Sequence, residues 1–323
     1  NDVQVFSSML LRMPVSHYAT ELRDSGFTVV PIDNTDPSLV HAAQVETCNA
    51  LNDLLVQIDA TEWEGPHQPP SVKAFSFREI VHRAPKRYDM QNSPGMSQTS
   101  GVQLAALRRR AVSCAETIVE TLHLLPLQPD DHDSLISWAR RMLPRRPREI
   151  MSGAVVSLPG AGAQTFHADG SPMHLLLASK LPQHRLFQVF FPLVDIAEDS
   201  IGTQFWPCSH LSRRADEFWW WRGSSARLEH DTAAMAAMVA PACPAGSMII
   251  FDYRLIHRGL PNSGQHQRPI GHALLSTGFA SDRQSYGRFP SVWDSTAAER
   301  ARAFEREFLS SDFESERLGG DPW

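Results

Sequence analysis

The segment Gln164-Thr-Phe-His167-Ala-Asp169 brings an imidazole and a carboxylate two residues apart. On an extended chain, residues two apart project to the same face, so His167 and Asp169 can offer their donors to one point while Ala168 turns away. In a chain with 14 histidines, His-x-Asp arises about once by accident, so the tripeptide needs a third donor from elsewhere. The stretch SMIIFDYRLIHRGLPN supplies one in His257, just past a strongly apolar run and followed by the turn residues Gly259, Pro261 and Asn262. Two histidines and one carboxylate are the set that holds non-haem Fe(II) on one face and leaves three positions open for chemistry. Arg268 stands eleven residues beyond His257, at the start of the next apolar run. If a dicarboxylic co-substrate chelates the metal through its 2-oxo acid end, its far carboxylate needs a planar, permanently charged partner, and arginine provides one in bidentate form.

Other chemically able residues do not assemble into a competing centre. His272 shares strand parity with Arg268, but it reads as a hydrogen-bonded core or rim histidine, and His174 and His210 have no companions. Cys208 lies near His210 without an orienting carboxylate or an oxyanion motif, which leaves a buried thiol rather than a nucleophile. Trp219, Trp220 and Trp221 cannot all be buried on one face of a single element; a lid or substrate wall and a homodimer contact fit them equally. For Arg87, Tyr88 and Asp89, substrate binding and local capping are not separable.

Elements must carry these residues to one place. Asp36-Pro37 is a cap and first-turn pair, and Val45, Cys48, Leu51, Leu55 and Ile58 follow at helical spacing. Leu104, Leu107, Ala111, Cys114, Ile118 and Leu122 predict a second helix, and a third is expected from Asp133 through LISWARRML. From residue 153 the texture changes to short apolar runs bounded by Gly, Pro, Asn and Ser: GAVVSLPG, MHLLLAS, LFQVFFPLVD, SMIIFDY and GHALLSTGFA. Such strands without intervening helices indicate an antiparallel sandwich or barrel, not a doubly wound parallel sheet. Pro269, which lacks a ladder donor, implies that its strand begins there or lies at an edge. The expected organisation is a single domain over 1–323, its mainly helical N-terminal half (about 1–150) packing on a β-core (about 151–285), with a closing helix near 296–309.

The composition narrows the function. The chain of 323 residues is 42% hydrophobic and 20% charged, as folded proteins are, and no apolar run approaches the ~18 residues that span a bilayer. A net charge of -6 offers no broad attraction to phosphate backbones, so nucleic acid is not an expected partner. The four cysteines are scattered without CxxC spacing and read as reduced thiols. The N-terminal residues lack a basic head and a cleavage site. A cytoplasmic setting is the expectation.

The segments HADG, LFQVFFPLVDIAEDSIGTQFWPCSH and PAGSMIIFDYRLIHRGLPNSGQHQR resemble, in order and spacing, the phytanoyl-CoA dioxygenase family of Fe(II)- and 2-oxoglutarate-dependent oxygenases. The resemblance covers about residues 150–280, and GFTVVPI near residues 26–32 is similar to the family's opening strand. It implies a double-stranded β-helix (jelly-roll, cupin-like) core that is mainly β with flanking helices and is buttressed by the N-terminal α-helices. It further implies iron held by His167, Asp169 and His257, 2-oxoglutarate gripped by Arg268, O2 as oxidant and a small-molecule substrate. Gln164 and Thr203 match positions that help bind the co-substrate in members that tailor natural products. Halogenating relatives carry a small residue in place of the carboxylate, so Asp169 implies a hydroxylase-type outcome. Where the family commonly has Pro-Gly-Ser-His, this chain has Pro207-Cys208-Ser209-His210. From the residues alone, two other readings compete: an oxygen-independent metalloenzyme on the same barrel, and a silent ligand-binding or partner subunit.

Overall fold

The computed structural model describes residues 13–32, 35–60, 75–91, 101–125, 146–169, 185–197, 202–211, 225–277, 291–293 and 296. The expected helix after Asp133, the MHLLLAS strand, His174, Trp219–Trp221 and the closing helix near 296–309 lie outside the described residues, Thr296 apart.

In chain order the elements are α1 (Val15–Ser25), β1 (Phe27–Pro31), α2 (Pro37–Ala60), β2 (Ile80–Ala84), β3 (Arg87–Gln91), α3 (Val102–Leu124), β4 (Arg148–Ser157), β5 (Leu186–Pro192), β6 (Thr203–Phe205), α4 (Ser225–His230), α5 (Thr232–Ala236), β7 (Ser247–Asp252), β8 (His257–Gly259) and β9 (Arg268–Ser276). Seven strands form one antiparallel sheet in the order β1-β7-β5-β9-β4-β3-β2, and β6 pairs with β8 in a second, two-stranded sheet. Single bridges widen the small sheet on both sides, His167 joining His257 and Val239 joining Phe205. Two facing antiparallel sheets are the architecture expected for a double-stranded β-helix.

The N-terminal half is less helical than its sequence led us to expect. It contributes β1, β2 and β3 to the large sheet, including one edge strand at each side. Only β1 was legible. Pro269 is accommodated because β9 begins at Arg268, although β9 is a central strand.

Each helix forms for a local reason and buries one stripe. α1 ends where Gly26, at φ 88°, donates its N–H to the Leu22 carbonyl, a left-handed cap that glycine adopts without strain. At the start of α2, Ser38 N–H donates to Asp36 Oδ1 at 2.9 Å. Its buried stripe is Val40, Ala43, Leu51, Leu54 and Ile58; the expected Val45 is exposed, one helical position off the stripe. Glu46 of α2 then accepts from the backbone N–H groups of Gln103 and Leu104, both at 3.0 Å, and so caps α3 across the helix pair.

The two faces of the large sheet have different tasks. Its outer face, with Tyr88, Val156, Phe187, Val189, Ile250 and Leu275, packs under the helices in the main core. The inner face carries the smaller cluster of Ile249, Phe251 and Ile270, which meets Phe205 and Leu255 beside the small sheet. Gly271 of β9 pairs directly with Phe191 of β5, and a Cβ at that position would collide with the Phe191 ring. Gly271→Ala is therefore expected to cost about 2–3 kcal/mol through overpacking, read as a lowered denaturation midpoint; an unchanged midpoint would refute the close packing.

Candidate metal centre and anion pocket

The small sheet positions the first two donors through its backbone. His167 and His257 exchange both main-chain hydrogen bonds, at 2.9 and 2.8 Å, which sets their rings side by side with centroids 4.5 Å apart. Asp169 N–H donates to the Tyr253 carbonyl at 3.1 Å, which brings the carboxylate to the same place. The two histidines are oriented in the same way. Nδ1 of His167 lies 2.8 Å from the Thr165 carbonyl and Nδ1 of His257 lies 2.9 Å from the Leu255 carbonyl. A carbonyl only accepts, so each Nδ1 carries the proton and each Nε2 keeps its lone pair for a ligand. Both Nε2 atoms face Asp169, at 3.9 Å from Oδ1 for His167 and 3.8 Å from Oδ2 for His257.

The donor atoms of His167, Asp169 and His257 all lie within 4.8 Å of one another, an arrangement able to hold one metal ion. Its chemistry, two neutral nitrogens and one carboxylate oxygen on one side, fits divalent iron with positions left open. Burial pushes His257 down to about 4, against the opposing pull of Asp169, so its imidazole is in the unprotonated, ligating form at neutral pH. The rings of Phe251 and Phe205 stand 4.9 and 6.0 Å from that of His257 and wall this side with apolar surface.

Beyond Gly259 the same backbone strand reaches a second site. Arg268 is buried; its Nη2 donates to the Leu260 carbonyl at 3.1 Å and to Ser157 Oγ at 3.3 Å, and its Nη1 to the Pro261 carbonyl at 3.3 Å. Arg87 of β3 reaches the same carbonyl, with Nη2 at 2.8 Å from Leu260 O and 3.0 Å from Gly162 O. Neither guanidinium has an acidic partner among the described residues, and the Nε of each is buried without an acceptor there. Burial pushes both down to about 10, and the charge of Arg268 adds to the effect on Arg87. Two adjacent desolvated cations remain protonated at neutral pH and call for an anion.

The structure gathers all six residues singled out from the sequence. Gln164 Oε1 accepts from the Gly259 N–H at 3.1 Å and from Arg87 Nη1 at 3.4 Å, so it bridges the metal-side strand and the anion pocket. Thr203 of β6 is buried and pairs with Gly259 of β8, on the same face as Phe205. A Cβ on Gly259 would run into Arg87 Nη1 and Gln164 Oε1, which explains the glycine at this crossing. The residue whose role the sequence left open was Arg87. It sits outside the region of family resemblance, on a strand whose alternation of charged and apolar residues, RYDMQ, was its one available signal. His272 is the hydrogen-bonded core histidine expected, and Cys208 takes a left-handed φ of 66° at the position where the family commonly has glycine.

An antiparallel double sheet on which two imidazoles and a carboxylate converge is a cupin-like arrangement able to hold a metal ion. The family model described as phytanoyl-CoA dioxygenase (PhyH) matches residues 120–270, a span that includes His167, Asp169, His257 and Arg268. The chain is thus a non-haem Fe(II)- and 2-oxoglutarate-dependent dioxygenase, an oxidoreductase that uses O2. Among solved structures, the chain is similar to the non-haem α-ketoglutarate-dependent epimerase SnoN from nogalamycin biosynthesis, with 16% identity, 84% of each chain covered and a TM-score of 0.50. It is also similar to AviO1 from Streptomyces viridochromogenes Tue57, with 14% identity, 83% of this chain and 97% of that chain covered, and a TM-score of 0.50. At these identities the likeness concerns the fold. Among the described residues no helix is long and apolar enough to cross a membrane.

Proposed function

We propose that the protein oxidises an unactivated C–H bond of a small, largely apolar natural-product intermediate, by hydroxylation or by the related desaturation or rearrangement. The observation that carries this reading is the juxtaposition of the three convergent donors with two buried arginines that have no carboxylate partner among the described residues. His167, Asp169 and His257 hold the iron, and Arg268 fixes the distal carboxylate of 2-oxoglutarate, with Arg87 as its second cation. Gln164 and Thr203 line the co-substrate between them. When bound, iron and 2-oxoglutarate supply the oxidising equivalents from O2, releasing succinate and CO2.

The chain's own work is placement and exclusion. The Nδ1–carbonyl contacts hold both imidazoles with their lone pairs inward before any ligand arrives, so little reorganisation is needed. Phe205, Phe251 and Ile270 keep water from the reacting side and favour an apolar substrate body. That the similar SnoN serves nogalamycin biosynthesis supports a natural-product substrate.

An anaerobic spectrophotometric titration of the metal-free protein with Fe(II) and then 2-oxoglutarate tests the reading. A weak visible charge-transfer band that appears only with both supports it. Metal binding without the band would leave the oxygen-independent metalloenzyme, and no metal binding would leave the silent subunit. For Arg87, substitution by leucine should raise the 2-oxoglutarate concentration needed for half-maximal band by roughly 10- to 100-fold, the loss of one charge-assisted contact. An unchanged requirement would remove Arg87 from the pocket.

A further inference from the structure

The inner face of the large sheet carries two buried polar side chains that the proposed reaction does not use. Along β9, strand parity places Arg268, Ile270, His272 and Leu274 on one face, and Ile270 packs in the inner cluster with Phe251 and Leu255. His272 therefore faces inward as well. On β5, Gln188 pairs with Phe251 of β7 and with Leu274 of β9, while Phe190 pairs with His272, so Gln188 and His272 are diagonal neighbours on the same face. Phe251, the cross-strand partner of Gln188, is the ring 4.9 Å from that of His257, so a single aromatic ring links Gln188 to a metal-ligating imidazole, and His272 lies one diagonal step further along the same face.

Both side chains are short of partners. Gln188 is 5% exposed and His272 is 2% exposed. Gln188 Oε1 and His272 Nδ1 are buried with no hydrogen-bond partner among the described residues. A buried unmet acceptor costs about 1–3 kcal/mol, an expense that a binding surface recovers when its ligand arrives. The other nitrogen of His272 is committed: Nε2 lies 3.1 Å from Asp89 Oδ1. Asp89 is itself an acceptor, because the pull of Arg83 and His272 outweighs its burial and keeps the carboxyl below its usual range. Arg83 donates to Asp89 Oδ2 through Nη2 at 2.9 Å and through Nε at 3.1 Å. In the neutral imidazole, the Asp89 contact places the proton on Nε2 and leaves Nδ1 as an acceptor, held in orientation from behind.

We propose that Gln188 and His272 form the polar wall of the substrate pocket and select a substrate that presents a hydroxyl or amine hydrogen to this face of the sheet. The inference rests on the proposed oxygenase site and narrows its substrate to an apolar body with at least one donor group. A substrate without the donor would bury both acceptors unmet, and hydrogen-bonding sites reject such analogues more strongly than apolar pockets reject a missing methylene.

The test uses the full chain and two probes of the same shape, phenol and toluene, with affinities measured by ligand-observed saturation-transfer NMR. Phenol should bind the wild-type protein about tenfold more tightly than toluene, the discrimination of one hydrogen bond. The ratio should fall to near one in Gln188→Leu. It should also fall in His272→Gln, in which the amide N–H keeps the bond to Asp89 while the Nδ1 acceptor is lost. A general loss of folding would abolish the binding of both probes, whereas a loss of recognition weakens phenol and spares toluene, so retained toluene affinity in each variant isolates recognition. Equal affinities in the wild type, no binding of either probe, or a ratio unchanged in both variants would overturn the proposal. The measurement is made on metal-free protein, and the Fe(II)–2-oxoglutarate band is recorded separately. Absence of the band would therefore defeat the oxygenase site while the phenol preference still decides this inference.

Discussion

His167→Ala abolishes iron binding at working concentrations, and with it all 2-oxoglutarate turnover, while the protein stays folded. The ligand loss sets the size of the effect. Structural zinc sites of four ligands contribute roughly 10–16 kcal/mol, and on that scale one ligand is worth about 3–4 kcal/mol, or two to three orders of magnitude in affinity. The fold survives because the His167 side chain is 25% exposed and its structural role lies in the backbone. The two main-chain bonds with His257 do not depend on the imidazole. Equilibrium dialysis against Fe(II), paired with a far-ultraviolet melting curve, checks both halves. A variant that unfolds would assign His167 a structural role, and one that binds iron as tightly as the wild type would remove it from the metal centre.

Arg268→Ala weakens co-substrate binding and spares the metal. A bidentate guanidinium–carboxylate contact made away from water is worth about 3–4 kcal/mol, so the 2-oxoglutarate requirement should rise by a few hundredfold while Fe(II) affinity is retained. The side chain also ties the Leu260 and Pro261 carbonyls, so the truncation alone could loosen that turn. Arg268→Lys separates the two effects. Lysine keeps the charge and much of the volume but lacks the planar fork, and should recover only part of the affinity. Full recovery with lysine would show that charge alone matters; no change with alanine would move the distal carboxylate elsewhere, with Arg87 the next residue to test.

The metal donors were legible in the sequence because their geometry is local. An extended backbone puts His167 and Asp169 on one face whatever the rest of the chain does, and the apolar run before His257 announces a buried strand. Arg268 was legible for a chemical reason, as the cation that a dicarboxylate would need. Arg87 was not, since its position depends on the β2–β3 hairpin joining β4 at residues some seventy positions later in the chain. The alternation in RYDMQ also invites the opposite conclusion. Polar residues on alternate positions usually face water, yet all five residues of β3 are buried and the polar set turns toward the site. The same inversion hid Gln188 and Asp89. The stripes of α2 and α3 were read more reliably, with the error in α2 at Val45, one helical position off the buried stripe, because both helices pack on one apolar sheet face.

The pairing of residue 167 with residue 257 also bears on how the protein resists heat. Ninety positions of chain separate the two imidazoles, so the unfolded polypeptide contains no preformed trap for a cation and only the native state can bind one tightly. Any ion held there is consequently linked to the folding equilibrium, adding RT ln(1 + [L]/Kd), or about 2.7 kcal/mol when free metal stands at a hundred times its dissociation constant. The melting temperature should climb with Fe(II) concentration and fall back on addition of a chelator, and in His167→Ala that dependence should disappear. In a cell short of iron, the abundance of this enzyme would follow the metal supply as closely as its turnover does.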